Sequence, residues 1–258
     1  WAASGDRLRT LSCLLLSVFC AGSASAQSEN VTLLGQWNPE GYYSGCWGYS
    51  APDGTELAIV GLLDGTAFVD VTDPASPRAA IVPGPRSGWR EIRCAGHYAY
   101  ISNEAGGGLQ IVDLSDPRAP RDVGLYNGAF ERCHSLHLDE GSGLLFCNGT
   151  NGRSVGLVVL DLTEPEQPAV AGALAEPYVH DMSSRDGIGY LAAIDAGAIV
   201  TVDLTHLPDI GVLATTSYAN AFTHNAGLHV AAVLLNPEHY ESIPADLVGR
   251  TRRLVVDK

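Results

Sequence analysis

The chain has 258 residues, 46% of them hydrophobic and 17% charged, a composition that excludes a disordered chain. Only 15 Lys and Arg stand against 29 Asp and Glu, and this excess of acid argues against nucleic acid as a partner. The 29 Gly and 14 Pro are typical of many short strands joined by turns.

The first 26 residues predict a signal peptide. Arg7 and Arg9 form a basic start, Leu11–Cys20 is an apolar run, and an Ala-Ser-Ala cleavage site ends at Ala26. The apolar run is too short to span a membrane, and the rest of the chain contains no predicted span. We therefore expect a secreted, periplasmic or cell-surface protein.

A repeat follows. Four segments of aliphatic residues each end in Asp, and the first three continue as Asp-x-Ser/Thr-Asp/Glu-Pro. The repeat aspartates are Asp70, Asp113, Asp161 and Asp203, at spacings of 43, 48 and 42 residues. This period is typical of four-stranded propeller blades. The recurrence of the aspartates favours turn formation over calcium binding, because Asp side chains accept hydrogen bonds from nearby backbone N–H groups.

Each repeat strand is flanked by two others. The strand before it is predicted at 57–60, 98–101, 144–147 and 190–193, and the strand after it at 79–82, 122–126, 169–173 and 211–215. The fold class is therefore all-β, a propeller of four-stranded blades with about five blades' worth of chain.

The chain resembles the LVIVD-repeat proteins, and among them the "choice-of-anchor B" group of exported proteins. The resemblance runs from about Trp37 to His229. It rests on segments of sequence beginning at Trp47, Gly61, Trp89, Gly108, Tyr178 and Phe222. It implies a β-propeller domain over residues 27–229 that is exported or anchored at the surface, and it implies no particular reaction.

Residues 230–258 depart from this pattern, because no further repeat follows His229. We predict an atypical segment here, truncated or altered relative to a complete propeller. Four cysteines remain after the signal peptide, and an oxidising compartment allows disulfides between them. Three pairings are possible, and the sequence does not choose among them.

The segments that begin each blade carry the candidate binding residues. Because the first strand of a propeller blade lines the central channel, we expect these side chains to converge at one mouth of it. The predicted binding residues are Trp47, Trp89, Arg90, Glu91 and Asn225. His134, His180, Asp181 and His224 could bind a divalent transition metal. The alternative is that these histidines only satisfy hydrogen bonds in the channel.

His134 and His137 are three residues apart, so on one strand they should point to opposite faces. A metal site must then take its ligands from different blades. The Gly152–Gly156 segment matches the G-x-S-x-G pattern but is followed by a predicted strand instead of a helix, so we interpret it as a chance match.

Two functional hypotheses follow. The first is an exported or cell-surface binding scaffold whose partner is a protein or glycan. The second is a metal-dependent enzyme, a hydrolase or oxidoreductase, that uses the histidines of the channel mouth.

Overall fold

The computed structural model describes residues 32–39, 41–151, 155–229 and 253–257. The predicted signal peptide and most of the predicted atypical C-terminal segment lie outside these ranges. Every strand named below belongs to one compact unit that begins at Leu34. Within the described ranges, no helix has the length and apolar character needed to cross a membrane.

The described strands form four antiparallel sheets of four strands each, followed by a hairpin. Blade 1 consists of β1 (Tyr43–Ser50), β2 (Glu56–Leu62), β3 (Gly65–Asp70) and β4 (Arg78–Pro83). Blade 2 consists of β5 (Ile92–Ala95), β6 (Tyr98–Ile101), β7 (Leu109–Asp113) and β8 (Arg121–Tyr126). Blade 3 consists of β9 (Ser135–Asp139), β10 (Leu144–Thr150), β11 (Val155–Asp161) and β12 (Ala169–Leu174). Blade 4 consists of β13 (Asp181–Arg185), β14 (Ile188–Ala193), β15 (Ala198–Asp203) and β16 (Gly211–Ser217). The hairpin pairs β17 (Asn225–His229) with β18 (Arg253–Asp257).

Strand order within each blade follows the chain, so each blade is a meander. The predicted all-β propeller is therefore confirmed, and each predicted flanking strand falls inside an observed one. The hairpin takes the place of a fifth blade, and its strand β17 contacts the first strand of blade 4.

The repeat aspartates form turns. Each ends the third strand of its blade, and its Oδ1 accepts a hydrogen bond from the backbone N–H two residues later. The N–O distances are 3.0 Å at Asp70, 2.8 Å at Asp113, 2.7 Å at Asp161 and 2.8 Å at Asp203. These carboxylates stop the strand and begin the next connection, as the turn interpretation requires.

The core lies between neighbouring blades. Alternate residues of β2, such as Leu57 and Ile59, are buried against blade 2 together with Phe68. A similar cluster joins blades 2 and 3. Another joins blades 3 and 4, and Phe146 is fully buried in it. Burying such a side chain contributes about 1.5–3 kcal/mol, so inter-blade contacts stabilise the array. The cluster between blade 4 and β17 is smaller, consisting of Ala192, Ile199 and Ala226.

The four cysteines within the described ranges are free thiols. Cys46 is exposed and Cys94 partly buried, while Cys133 and Cys147 are buried in the core between blades 2 and 3. The structure thus gives the predicted disulfides no support. Burial raises the pKa of the Cys94 thiol to about 12 and raises that of Cys133 well above its usual range. Both groups stay protonated and poorly nucleophilic.

Candidate functional site

The first strands of successive blades lie side by side around the centre. β1 contacts β5, β5 contacts β9, β9 contacts β13, and β13 contacts β17. The residues that immediately precede these strands therefore gather at one end of the central channel. We call this end the histidine mouth and define it by Trp89, Glu104, His134, His180 and His224.

Four aromatic rings form a continuous row across the histidine mouth. Trp89 stacks on His134 with ring centroids 5.8 Å apart and an interplanar angle of 13°. The His134 and His180 centroids are 4.3 Å apart, and those of His180 and His224 are 3.9 Å apart. Each ring comes from a different blade or from the hairpin, so the propeller arrangement alone brings them together.

A chain of polar contacts, two hydrogen bonds and one close pair of ring nitrogens, runs through the same groups. His134 Nδ1 lies 2.5 Å from Glu104 Oε1, and His134 Nε2 lies 2.9 Å from His180 Nε2. His180 Nδ1 lies 2.9 Å from the backbone carbonyl oxygen of His224. Burial, followed by repulsion from His134 and His224, lowers the pKa of His180 to about 4, so that this ring is neutral near pH 7.

The acceptors determine the tautomers. A carbonyl oxygen only accepts, so His180 Nδ1 carries a proton and donates it. An ionised Glu104 likewise accepts from His134 Nδ1. In neutral rings, both Nε2 atoms then present lone pairs to each other at 2.9 Å. A proton or another cation between them would convert this repulsion into attraction.

Glu104 was not identified from the sequence. It lies in the loop between β6 and β7, where the Asn103 side chain accepts from the N–H of Ala105 at 2.8 Å and donates to the carbonyl of Gly106 at 2.6 Å. Gly106, Gly107 and Gly108 all have positive φ, which few other residues tolerate. The Gly-Gly-Gly run following Asn103 was the available signal for a tight loop beside the mouth.

A cavity of about 270 Å³ opens beside the two histidines. Its lining combines acidic, basic and phenolic side chains with the two imidazoles: Glu104, Arg132, Cys133, His134, Gly149, Tyr178 and His180. Arg132 and Tyr178 were also absent from the sequence prediction, because nothing in their local pattern indicates which blade they face.

Two of the predicted mouth residues lie elsewhere. The Arg90 side chain is fully buried between blades 1 and 2, where its Nε donates to the carbonyl of Leu62 at 2.8 Å and its Nη2 donates to that of Pro85. Burial lowers the pKa of this guanidinium. Trp47 lies beneath the Arg93 guanidinium, whose Cζ is 4.3 Å from the ring centroid. It lines a separate cavity of about 550 Å³ with Tyr49 and Tyr98.

The remaining predicted residues are close to the mouth but have other partners. Glu91 accepts from Arg93 at 2.5 Å. The Asn225 side chain bonds His224 Nδ1. Asp181 is the first residue of β13, and burial raises its pKa to about 6, with no place in the chain of polar contacts above. Across the described residues, no group of three or more His, Cys, Asp and Glu side chains is arranged to hold a metal ion.

His137 has different partners from His134. Its Nε2 lies 2.9 Å from Ser184 Oγ on β13. Burial is the main cause that lowers its pKa to about 4, and Arg93 acts in the same direction. His137 therefore belongs to the channel wall and His134 to the mouth.

Repeated antiparallel four-strand blades around a channel define a β-propeller, and solved propellers superpose on the chain. A periplasmic gluconolactonase from Pseudomonas aeruginosa is 16% identical with a TM-score of 0.53, covering 66% of this chain and 53% of that one. A β-propeller domain from Myceliophteria thermophila is 11% identical with a TM-score of 0.54, covering 66% and 59%. At these identities the similarity concerns the fold alone.

One of the repeats matches a known family model. Residues 90–128, which include all of blade 2, match the model of the LVIVD repeat. This match confirms, over blade 2, the resemblance to LVIVD-repeat proteins inferred from the repeats.

The C-terminal region matches a different family. Residues 217–258 match the "homocitrate synthase post-HMGL domain-like" model. This range contains the predicted atypical segment and also Phe222–Asn225, which the sequence analysis related to the propeller. Homocitrate synthase from Pyrococcus abyssi is 59% identical over 39 residues, or 15% of this chain and 11% of that protein. That from Pyrococcus horikoshii is 32% identical over 146 residues, 48% of this chain and 35% of that protein. The chain thus spans about a third or less of these relatives' length.

Proposed function

We propose that this LVIVD-repeat propeller is a non-catalytic binding scaffold that acts outside the cytoplasm and binds a glycan at the histidine mouth. The observation that carries the proposal is the row of Trp89, His134, His180 and His224 beside a polar cavity of about 270 Å³. Residues 1–26 support export through their basic, apolar and cleavage-site pattern.

A sugar unit suits the chemistry of the mouth. Glu104 and Arg132 offer acceptors and donors for hydroxyl groups, and the two imidazoles offer more. Trp89 is 38% exposed and Phe222 is 52% exposed, so both retain ring surface for the apolar face of a sugar. The volume admits one small unit, with the rest of the glycan lying across the mouth.

Glycan-array screening of the folded protein, followed by calorimetric titration of the bound glycan, tests this proposal. Trp89→Ala should weaken binding by about 10- to 100-fold, because it removes the aromatic platform. Trp47→Ala is the matched control at the other cavity and should bind like wild type. Equal loss in both variants, or no glycan bound at all, would contradict the proposal.

A metal-dependent enzyme is the second candidate, favoured by the convergence of the His134 and His180 Nε2 atoms at 2.9 Å. If the protein hydrolyses or oxidises a substrate, and this activity requires both added metal and His180, the enzyme hypothesis replaces the scaffold hypothesis. The homocitrate synthase match covers too little of those enzymes to carry their activity here.

A further inference from the structure

We propose that His134 and His180 form a two-histidine site for a divalent transition metal that prefers tetragonal coordination, Cu²⁺ or Ni²⁺, bound through the two Nε2 atoms. This inference rests on the proposed function, since it treats the histidine mouth as a ligand site and names one ligand of it.

The hydrogen-bond partners of the two Nδ1 atoms are the first observation that supports a metal site. Metal-binding histidines usually donate the other ring N–H to a carboxylate or a backbone carbonyl, which fixes the tautomer and leaves a lone pair for the metal. His134 has Glu104 as such a partner, and His180 has the carbonyl of His224. Both acceptors lie on the Nδ1 side, so both Nε2 atoms are left without a ring proton, and they lie 2.9 Å apart.

The separation of the two nitrogens selects the kind of metal. With metal–nitrogen bonds of about 2.0–2.1 Å, two Nε2 atoms 2.9 Å apart subtend about 90° at the ion. A tetrahedral zinc site would need a separation nearer to about 3.4 Å at the same bond length. An angle near 90° fits tetragonal coordination by nitrogen and oxygen, which Cu²⁺ and Ni²⁺ prefer, and Cu²⁺ binds more tightly in general.

The cavity leaves the other coordination positions open. Glu104 uses Oε1 to orient His134. The His224 ring is tilted against the His180 ring, and its Nδ1 bonds the Asn225 side chain. Water or an oxygen of a bound ligand would complete the coordination from the 270 Å³ cavity. Two protein ligands make a moderately tight site, and a sugar hydroxyl could occupy a further position on the ion.

Titration of the glycan-free protein with Cu²⁺, followed by electron paramagnetic resonance and by chelator competition, tests the site. One ion per chain should bind with hyperfine structure from two imidazole nitrogens. His180→Ala should weaken it by more than about 100-fold, and Glu104→Gln by about 10- to 100-fold through the loss of the charged orienting partner. His206→Ala is the control, because this side chain is 80% exposed and lies far along the chain in a turn of blade 4.

Circular dichroism checks that each variant folds. If His180→Ala does not fold, Glu104→Gln serves as the main comparison. A stoichiometric site that Glu104→Gln weakens and His206→Ala leaves intact supports the proposal. No stoichiometric ion, or equal affinity in all of these variants, overturns it and leaves a proton as the cation between the rings. Metal binding without glycan binding would refute the scaffold proposal alone, and glycan binding without metal would refute this inference alone.

Discussion

At the scale of single residues, two histidines three positions apart have different surroundings. His134 joins the mouth, whereas His137 is partly buried against Phe146 and Ser184. Burial keeps the His137 pKa near 4 when the unfolded chain has the ordinary value near 6.5. We therefore expect His134 to respond to ligands and His137 to respond to pH.

The free energy of unfolding should fall as the pH is lowered from about 6.5 to about 4. In this window the unfolded chain protonates His137 and the folded chain does not, so protons favour unfolding. The contribution of His137 to this loss approaches about 1.4 kcal/mol per pH unit, reaches at most about 3 kcal/mol, and stops below the folded pKa. His180, whose pKa is also about 4, adds a loss of the same sign. Urea unfolding at several pH values measures it.

His137→Gln should remove this part of the pH dependence, and the exposed His206→Gln should keep it. Both variants keep Arg93 and Asp139, which influence the pKa of His137, and Asp181, whose own pKa is raised. The difference between their pH profiles is therefore the contribution of His137 to the unfolding free energy. Identical pH profiles for the two variants would show that His137 does not titrate as inferred.

At the scale of elements, Arg90 joins the start of β5 to blade 1. Its guanidinium satisfies carbonyls at the end of β2 and in the β4–β5 connection, and its own carbonyl accepts from the N–H of Gly45 on β1 at 3.0 Å. The register of the repeats placed Arg90 at the mouth beside Trp89. The structure instead uses it to hold two sheets at a fixed separation.

Arg90→Ala should lower the free energy of unfolding by about 3 kcal/mol, because it leaves buried carbonyls without donors and creates a cavity. Arg86→Ala is the control. Its exposed ion pair with Asp64 is 2.8 Å long, and such pairs contribute at most about 1 kcal/mol. Urea denaturation measures both, and equal effects would contradict the assigned role of Arg90.

At the scale of the whole molecule, stability comes from the contacts between blades. The large clusters join blades 1 to 2, 2 to 3 and 3 to 4, and the contact with β17 is small. The outer strand β16 is correspondingly exposed along its length, with Leu213 56% exposed. Blade 4 is therefore firmly packed on one face and weakly covered on the other.

Two leucines of blade 4 test this asymmetry. Leu191→Ala should cost about 2–5 kcal/mol of unfolding free energy, because Leu191 is fully buried in the core with blade 3. Leu213→Ala, the same substitution on the exposed strand, should cost less than about 1 kcal/mol. Thermal or urea unfolding compares them, and a costly Leu213→Ala would mean that this face is covered in solution.

Much of the blade architecture was predictable because it depends on local chemistry. Alternating aliphatic strands, Asp-x-Ser/Thr turns and prolines at strand ends recur every 42 to 48 residues, and each acts within a few positions of itself. The homocitrate synthase-like segment was missed, because Phe222–Asn225 alone is too short to distinguish the two families.

The sequence by itself determined the blade repeat, the strand order and the identity of the histidines that begin the inner strands. Only the tertiary structure decided which side chains meet at the mouth. It joined Glu104 and Arg132 to His134, placed Trp47 at another cavity and buried Arg90 between sheets. The reason is physical: strand periodicity tells which face a residue occupies, but the packing of blades far apart in sequence sets the distance between faces.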